Sequence, residues 1–219
     1  MSHVILIRHG QANTTARDEG SYDRLSELGW QQSRWLGEHL RAAGDRFARC
    51  YTGTLTRHIE TCEGIAPDSA ADPIRDPRLN ELEYFTMAQL FAEQHGQPVP
   101  LDREGFIHHL PQLFGAWKDG LLKGAPESFD GFENRVGEAL HEIAQGDGRA
   151  IVVTSGGLIG MAMRVTMRLD MAAYAHACLA IKNTSLHGWQ PLATGLALTQ
   201  FNATPHLETP ERQFAQTHL

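Results

Sequence analysis

The chain alternates short apolar runs with longer stretches of helical period. Val4 to Ile7 is a continuous, largely β-branched run that Arg8 stops, the pattern of a strand buried on both faces. Ser26 is placed to cap a helix in which Leu28, Trp35, Leu36, Leu40 and Ala43 recur at helical spacing, and Gly44 can end it in a left-handed turn. Phe47 to Thr52 predicts a second strand and Leu55 to Ile65 a second helix. Prolines then punctuate the chain from Pro73 to Pro126. Between them Met87 to Glu93 and Phe106 to Leu122 predict short helices, so residues 85–127 are expected to form a helical insertion or lid. Ser128 caps a further helix with Phe129, Phe132, Val136, Leu140 and Ile143 on one face, ended by Gly146 and Gly148. Ala150 to Val153 predicts a strand, Leu158 to Leu169 a helix, Leu179 to Ile181 and Leu196 to Phe201 late strands, and Glu208 to Leu219 a polar tail. Strands alternating with helices predict an α/β fold, a three-layer αβα sandwich around a mainly parallel sheet. Ligands of such sheets sit beyond the carboxyl ends of the strands.

Composition narrows the partners. The chain has 219 residues, ordinary globular composition and enough length for a core without metals or disulfides. Lys plus Arg is 19 against 26 for Asp plus Glu, a net charge of −7, which supplies no basic face for nucleic acid or an anionic membrane. A small anionic substrate still fits if a few arginines converge. Cys50, Cys62 and Cys178 are odd in number and lack CxxC spacing, so they read as buried or idle thiols in a reducing compartment. Met1-Ser2-His3 followed by four apolar residues is too short for a signal core, and no run approaches the ~18 apolar residues of a membrane span. A soluble, cytoplasmic protein is expected.

Three features fall at predicted strand ends. Arg8-His9-Gly10 follows the first strand, Thr154-Ser155-Gly156-Gly157 follows the strand ending at Val153, and Arg57 lies one turn into the helix after the second strand. Two guanidiniums, backbone N–H groups beside glycines and a histidine suit phosphoryl transfer. Arginine binds phosphoryl oxygens in a bidentate fork, helix amino ends add positive potential, and imidazole can attack phosphorus. Each residue also has an ordinary explanation. His9 can be a structural histidine, Arg57 a solvated helix residue, Glu81 (beside Glu83) part of an acidic loop, and Ser155 a helix cap.

Taken in order, the motifs resemble the histidine phosphatase superfamily, the phosphoglycerate-mutase-like proteins. Val4 to Ala12 is similar to the family's opening. Leu25-Ser26-Glu27-Leu28-Gly29, Thr52 to Thr61 around Arg57, Arg78-Leu79-Asn80-Glu81, Asn183-Thr184-Ser185 and the stretch from Phe201 to Leu207 follow in register. The resemblance spans residues 1–207, weakest across the insertion. It implies a phosphohistidine mechanism without metal or cofactor. His9 attacks a small phosphomonoester in line, Arg8 and Arg57 neutralise the transferring group, and Glu81 protonates the leaving oxygen and then activates water. Asn13 and Thr15 lie where the family often places an extra phosphate donor, and the Gly156 backbone is expected at the anion.

One departure matters. The family carries a second histidine in a His-Gly pattern after the later strand, where this chain has Ser155-Gly156-Gly157. If Ser155 occupies that place, the pocket has a void and one fewer donor, unless a neighbour such as His58 or His187 fills the space. A relative that binds phosphate but has lost turnover is therefore the competing expectation. Segment Gln11 to Tyr22 lacks the Asn-x-Phe-Thr-Gly-Trp stretch of mutases. A Ser155 hydrolase with Asp170 and His187 or His206 lacks the first glycine of GxSxG, since Val153 stands there. A dinucleotide site at Ser155 to Gly160 lacks its acidic partner, because Ala172 to Lys182 holds no carboxylate. Glu138 and His141 form a lone ExxH, and His108-His109 in the insertion can reach substrate if that segment is a lid.

Overall fold

A computed structural model describes residues 3–218; Met1, Ser2 and Leu219 lie outside the described residues. Strand β1 (Val4–Arg8) is followed by a short helix α1 (Glu19–Tyr22) and by α2 (Glu27–Ala42). Then come β2 (Arg49–Thr52), α3 (Thr56–Ile65), a two-residue strand β3 (Ile74–Arg75), α4 (Tyr84–His95), α5 (Arg103–Lys118) and α6 (Phe129–Gln145). The chain closes with β4 (Ala150–Thr154), α7 (Gly156–Met167), α8 (Met171–Ala180), β5 (Leu186–Leu192) and β6 (Gly195–Ala203). The sheet order is β3-β2-β4-β1-β5-β6. β1 pairs in parallel with β4, Val4 opposite Ala150 through Arg8 opposite Thr154, and β4 pairs in parallel with β2. β5 and β6 form an antiparallel hairpin at one edge.

Side chains alternate across β1 and β4 and so build two cores. Val4, Leu6, Ala150 and Val152 face one cluster, Ile7, Ile151 and Val153 the other. The second is closed by Leu36 and Leu40 of α2 and by Cys62 and Ile65 of α3. The first takes Phe132 and Val136 of α6, Ile159 of α7 and Tyr174 of α8. The expected three-layer α/β architecture is present, and it sets the ends of β1, β2 and β4 side by side.

Two local expectations need correction. Leu179 to Ile181 is not a strand but the last turn of α8 and its cap. Asp170 accepts from the Ala173 N–H at 2.8 Å to start that helix. The strand itself is β5, hidden in sequence because Leu186-His187-Gly188-Trp189-Gln190-Pro191-Leu192 is not an apolar run. Pro191 is tolerated because β1 ends its pairing at Trp189, leaving that part of β5 without a neighbour on the β1 side. The polar tail also folds back. Ala215 is fully buried, its carbonyl accepts from buried Gln32 at 2.7 Å, and the Thr217 carbonyl accepts from the Asn183 N–H at 2.8 Å. In the 85–127 segment, Met87, Phe91, Leu113, Phe114 and Trp117 join the same core as the sheet.

Candidate active site

Arg8 ends β1, and the next residue is locked by its own backbone. The His9 N–H donates to Thr154 O at 2.8 Å, and its carbonyl accepts from Asn183 Nδ2 at 3.1 Å. Gly10 must be glycine, because a Cβ there would stand 2.4 Å from the Gly29 carbonyl oxygen; one on Gly29 would stand 2.1 Å from that of Gln11. This crossing of the first loop over α2 aims the buried His9 ring. Its Nδ1 lies 2.7 Å from the Gly10 carbonyl oxygen, which can only accept, so Nδ1 carries the proton and Nε2 the lone pair. Burial, then the charges of Arg57 and Arg8, hold His9 well below the usual histidine range. The ring is neutral and oriented, with its lone pair on Nε2.

Arg57 reaches the same centre from the first turn of α3 and is 3% exposed. Asp23 fixes it: the carboxylate accepts from the Thr56 N–H at 2.9 Å, the Arg57 N–H at 3.2 Å and Arg57 Nη1 at 2.9 Å. One carboxylate thereby caps α3, whose own N-cap residue Leu55 has no polar side chain, and tethers the guanidinium. Tyr22 packs against it, its ring 5.1 Å from the guanidinium carbon. Arg8 Nη1 donates to the carbonyls of Ile181 at 2.5 Å and His218 at 2.6 Å. The Nε atoms of Arg8 and Arg57 are buried and have no hydrogen-bond partner among the described residues.

Each residue after β4 has a distinct task. Gly157 N–H donates to Glu81 Oε2 at 2.8 Å, and a Cβ on Gly157 would stand 2.5 Å from Glu81 Oε1. The helix amino end and the carboxylate approach because that side chain is absent. Gly156 lies against Arg8, an added Cβ falling 3.5 Å from Arg8 Nε. Ser155 is fully buried at the N-cap position of α7 yet makes no side-chain cap. Its Oγ is 2.6 Å from Nε2 of fully buried His58.

Thus the expected void is filled, and by His58. His187 is engaged elsewhere, its Nε2 2.8 Å from Ser185 Oγ. The Ser155 hydrolase reading fails on the same geometry. Asp170 caps α8, His206 pairs with Thr184 Oγ1 at 2.8 Å, and His58 Nδ1 has no partner among the described residues to act as a triad acid. The structure brings Arg8, His9, Arg57, Glu81, Ser155 and Gly156 to one end of the sheet. Asn13 and Thr15 are instead bonded to each other: Thr15 donates from its N–H and Oγ1 to Asn13 Oδ1, and Asn13 Nδ2 donates to Ser21 O at 2.9 Å. His109 is buried among Tyr84 and Phe91, and His108 is exposed. Asp23 and Tyr22 were missed, because nothing in sequence ties residues 22–23 to Arg57.

Among the described residues no helix is long and apolar enough to cross a membrane, and no group of three or more His, Cys, Asp or Glu side chains is arranged to hold a metal ion.

Comparison with known proteins gives a consistent picture. Over 197 residues the chain is 26% identical to the metal-independent phosphoserine phosphatase of Arabidopsis thaliana, covering 86% of this chain and 79% of that protein. It is 37% identical over 109 residues to the 2,3-bisphosphoglycerate-dependent phosphoglycerate mutase of Rhizobium etli; that match spans 45% of this chain and only 52% of the mutase. In three dimensions it is similar to phosphoserine phosphatase from Entamoeba histolytica, solved with phosphoserine, at a TM-score of 0.69 and 19% identity over 94% of this chain and 100% of that one. With the sequence profile of the histidine phosphatase superfamily (branch 1) matching residues 4–204, the chain belongs to that superfamily.

Proposed function

We propose that the protein is a metal-independent phosphomonoester hydrolase that works through a phosphohistidine on His9. The observation that carries this reading is the His9 ring itself, neutral, with Nδ1–H on the Gly10 carbonyl and two arginines beside it. In the first step His9 Nε2 bonds to phosphorus, the bond to the leaving oxygen breaks, and Glu81 delivers a proton to that oxygen. In the second, water attacks phosphorus, its proton goes to the Glu81 carboxylate, and the electron pair of the P–N bond returns to His9 Nε2. Arg8 and Arg57 neutralise the oxygens throughout, the task that a divalent cation performs in other phosphoryl-transfer sites. The named relatives act on small phosphorylated substrates, which supports a small phosphomonoester as substrate class.

The competing reading is a phosphate-binding protein without turnover. It draws on the two carbonyls that occupy Arg8 Nη1. One experiment separates the readings: hydrolysis of a nitrophenyl phosphate by wild type and His9→Ala, with labelled phosphoryl trapped by rapid quench. Label on His9, and loss of hydrolysis in His9→Ala, are expected. Unchanged hydrolysis in His9→Ala, or label on Ser155, overturns the phosphohistidine reading; phosphate binding without hydrolysis supports the competitor.

A further inference from the structure

The scheme above gives no task to His58, although it is a fully buried titratable group at the centre. It sits in the first turn of α3, directly after Arg57, with its ring 5.8 Å from that of His9. Its surroundings are specific. Nε2 meets Ser155 Oγ at 2.6 Å, while Nδ1 is buried without a hydrogen-bond partner among the described residues. Gly53 makes room for Nδ1, since a Cβ there would stand 2.2 Å from it. The charged and titratable neighbours are Arg57 on the same helix and His9 beyond β1, and α7 contributes the Ser155 hydroxyl. Nothing in this shell favours a cation on His58, and burial followed by the Arg57 charge keeps it well below the usual histidine range.

A neutral imidazole with an unpartnered ring nitrogen, next to the Arg57 guanidinium, is a poor arrangement for an empty site. A phosphoryl dianion reverses its electrostatics, because it adds negative charge within the same low-dielectric volume. The serine hydroxyl can then accept from Nε2–H and pass its own proton's hydrogen bond onward.

Resting on the phosphohistidine reading of His9, we propose that His58 and Ser155 act as one donor unit for the transferring phosphoryl group. Ser155 Oγ–H donates to a phosphoryl oxygen, and His58 Nε2–H donates to Ser155 Oγ. His58 takes one proton from solvent at Nδ1 as the dianion enters and returns it when inorganic phosphate leaves; no bond of Ser155 is broken. Ser155 touches the reacting group, and His58 is its positioning and charging residue. The second imidazole of this site thus comes from the helix that carries Arg57, and the serine on the β4 end bridges it to phosphorus.

The swap of imidazole and small side chain is directly testable. His58→Ala and Ser155→Ala should each lower kcat on a nitrophenyl phosphate by about 10²-fold, the usual effect of losing one transition-state donor. The double alanine variant should be no worse than either single, since the two act together. Ser155→His alone should lose activity, because His58 already fills the volume. In His58→Ala/Ser155→His, the new imidazole enters the space left at position 58, and kcat should recover at least tenfold over His58→Ala. A His58→Ala enzyme within twofold of wild type overturns the proposal. So does a folded double variant that still traps label on His9 but shows no recovery. A measurement on the wild-type chain avoids dependence on the variants: ring nitrogen-15 NMR of His58 should change from neutral to imidazolium on adding inorganic vanadate. A His58 that stays neutral with vanadate bound overturns the proposal while leaving His9 phosphorylation intact. Absence of label from His9 in wild type overturns both.

Discussion

Gly157→Ala isolates the leaving-group step from everything else at the site. Gly157 is the second residue of α7 and does not have positive φ, so alanine meets no backbone strain. In a helix that exchange favours folding by at most about 1 kcal/mol. The new Cβ would stand 2.5 Å from Glu81 Oε1, 3.0 Å from Cδ and 3.1 Å from Oε2. Ordinary carbon contacts begin near 3.5 Å, so the carboxyl must retreat by roughly 1 Å. It can do so cheaply, being the end of a flexible, partly exposed side chain, but it loses its 2.8 Å bond to the Gly157 N–H. A displacement of about 1 Å costs on the order of 10² in rate where a proton must be delivered, or about 2.7 kcal/mol of transition-state stabilisation. The expected outcome is a melting temperature within a few degrees of wild type together with a strongly selective kinetic defect. With an alkyl phosphate, whose alkoxide needs the proton, kcat/KM should fall by about 10². With a nitrophenyl phosphate, whose leaving group departs as the anion, it should fall less than tenfold. Glu81→Gln should show the same selectivity. Equal losses on both substrates, or an unchanged rate on the alkyl phosphate, would refute the assignment of Glu81 as the acid held by Gly157.

Two further outcomes follow from the buried charges. Removing the carboxylate in Asp23→Ala should destabilise the chain by about 1 kcal/mol through the lost cap of α3 and weaken inorganic phosphate binding about tenfold by freeing Arg57, an order-of-magnitude figure for one lost charge-assisted bond; calorimetric titration with an intact affinity would count against the tether. His187 and His206 are lowered to about 3 by burial first. Since the unfolded chain takes up those protons below about pH 6.5 and the folded chain does not, stability is full above that pH and falls as pH drops toward 3, by about 1.4 kcal/mol for each residue at one pH unit below 6.5. Urea midpoints that stay flat from pH 7 to 5.5 would contradict this.

Half of the candidate site was legible in the chain because it depends on neighbours in sequence. A strand buried on both faces must read as an apolar run, so Val4 to Ile7 by itself places Arg8 and His9 at a strand end. Parallel strands put their carboxyl ends on one side, which made Arg57 and the Ser155-Gly156-Gly157 turn candidates for the same pocket. Helix starts at Ser26 and Ser128 were equally clear, each serine accepting from the N–H three residues on at 3.0 Å.

The rest was decided by contacts between distant segments, whose residues carry no local mark. Asp23 is an ordinary loop acid until it meets the first turn of α3, 33 residues away. β5 contains His187, Gly188 and Pro191, and becomes a strand because β1 offers an antiparallel edge on one side and β6 returns along the other. The tail looks solvated by composition, yet buried Gln32 and Asn183 require partners that its backbone supplies. For Ser155 the sequence named two histidines able to stand beside it and had no means to choose. The choice fell to packing. The first turn of α3 directs the residue after Arg57 toward the end of β4, while the register of β5 turns His187 toward Ser185, and a 2.6 Å hydrogen bond depends on three-dimensional placement that no spacing along the chain encodes.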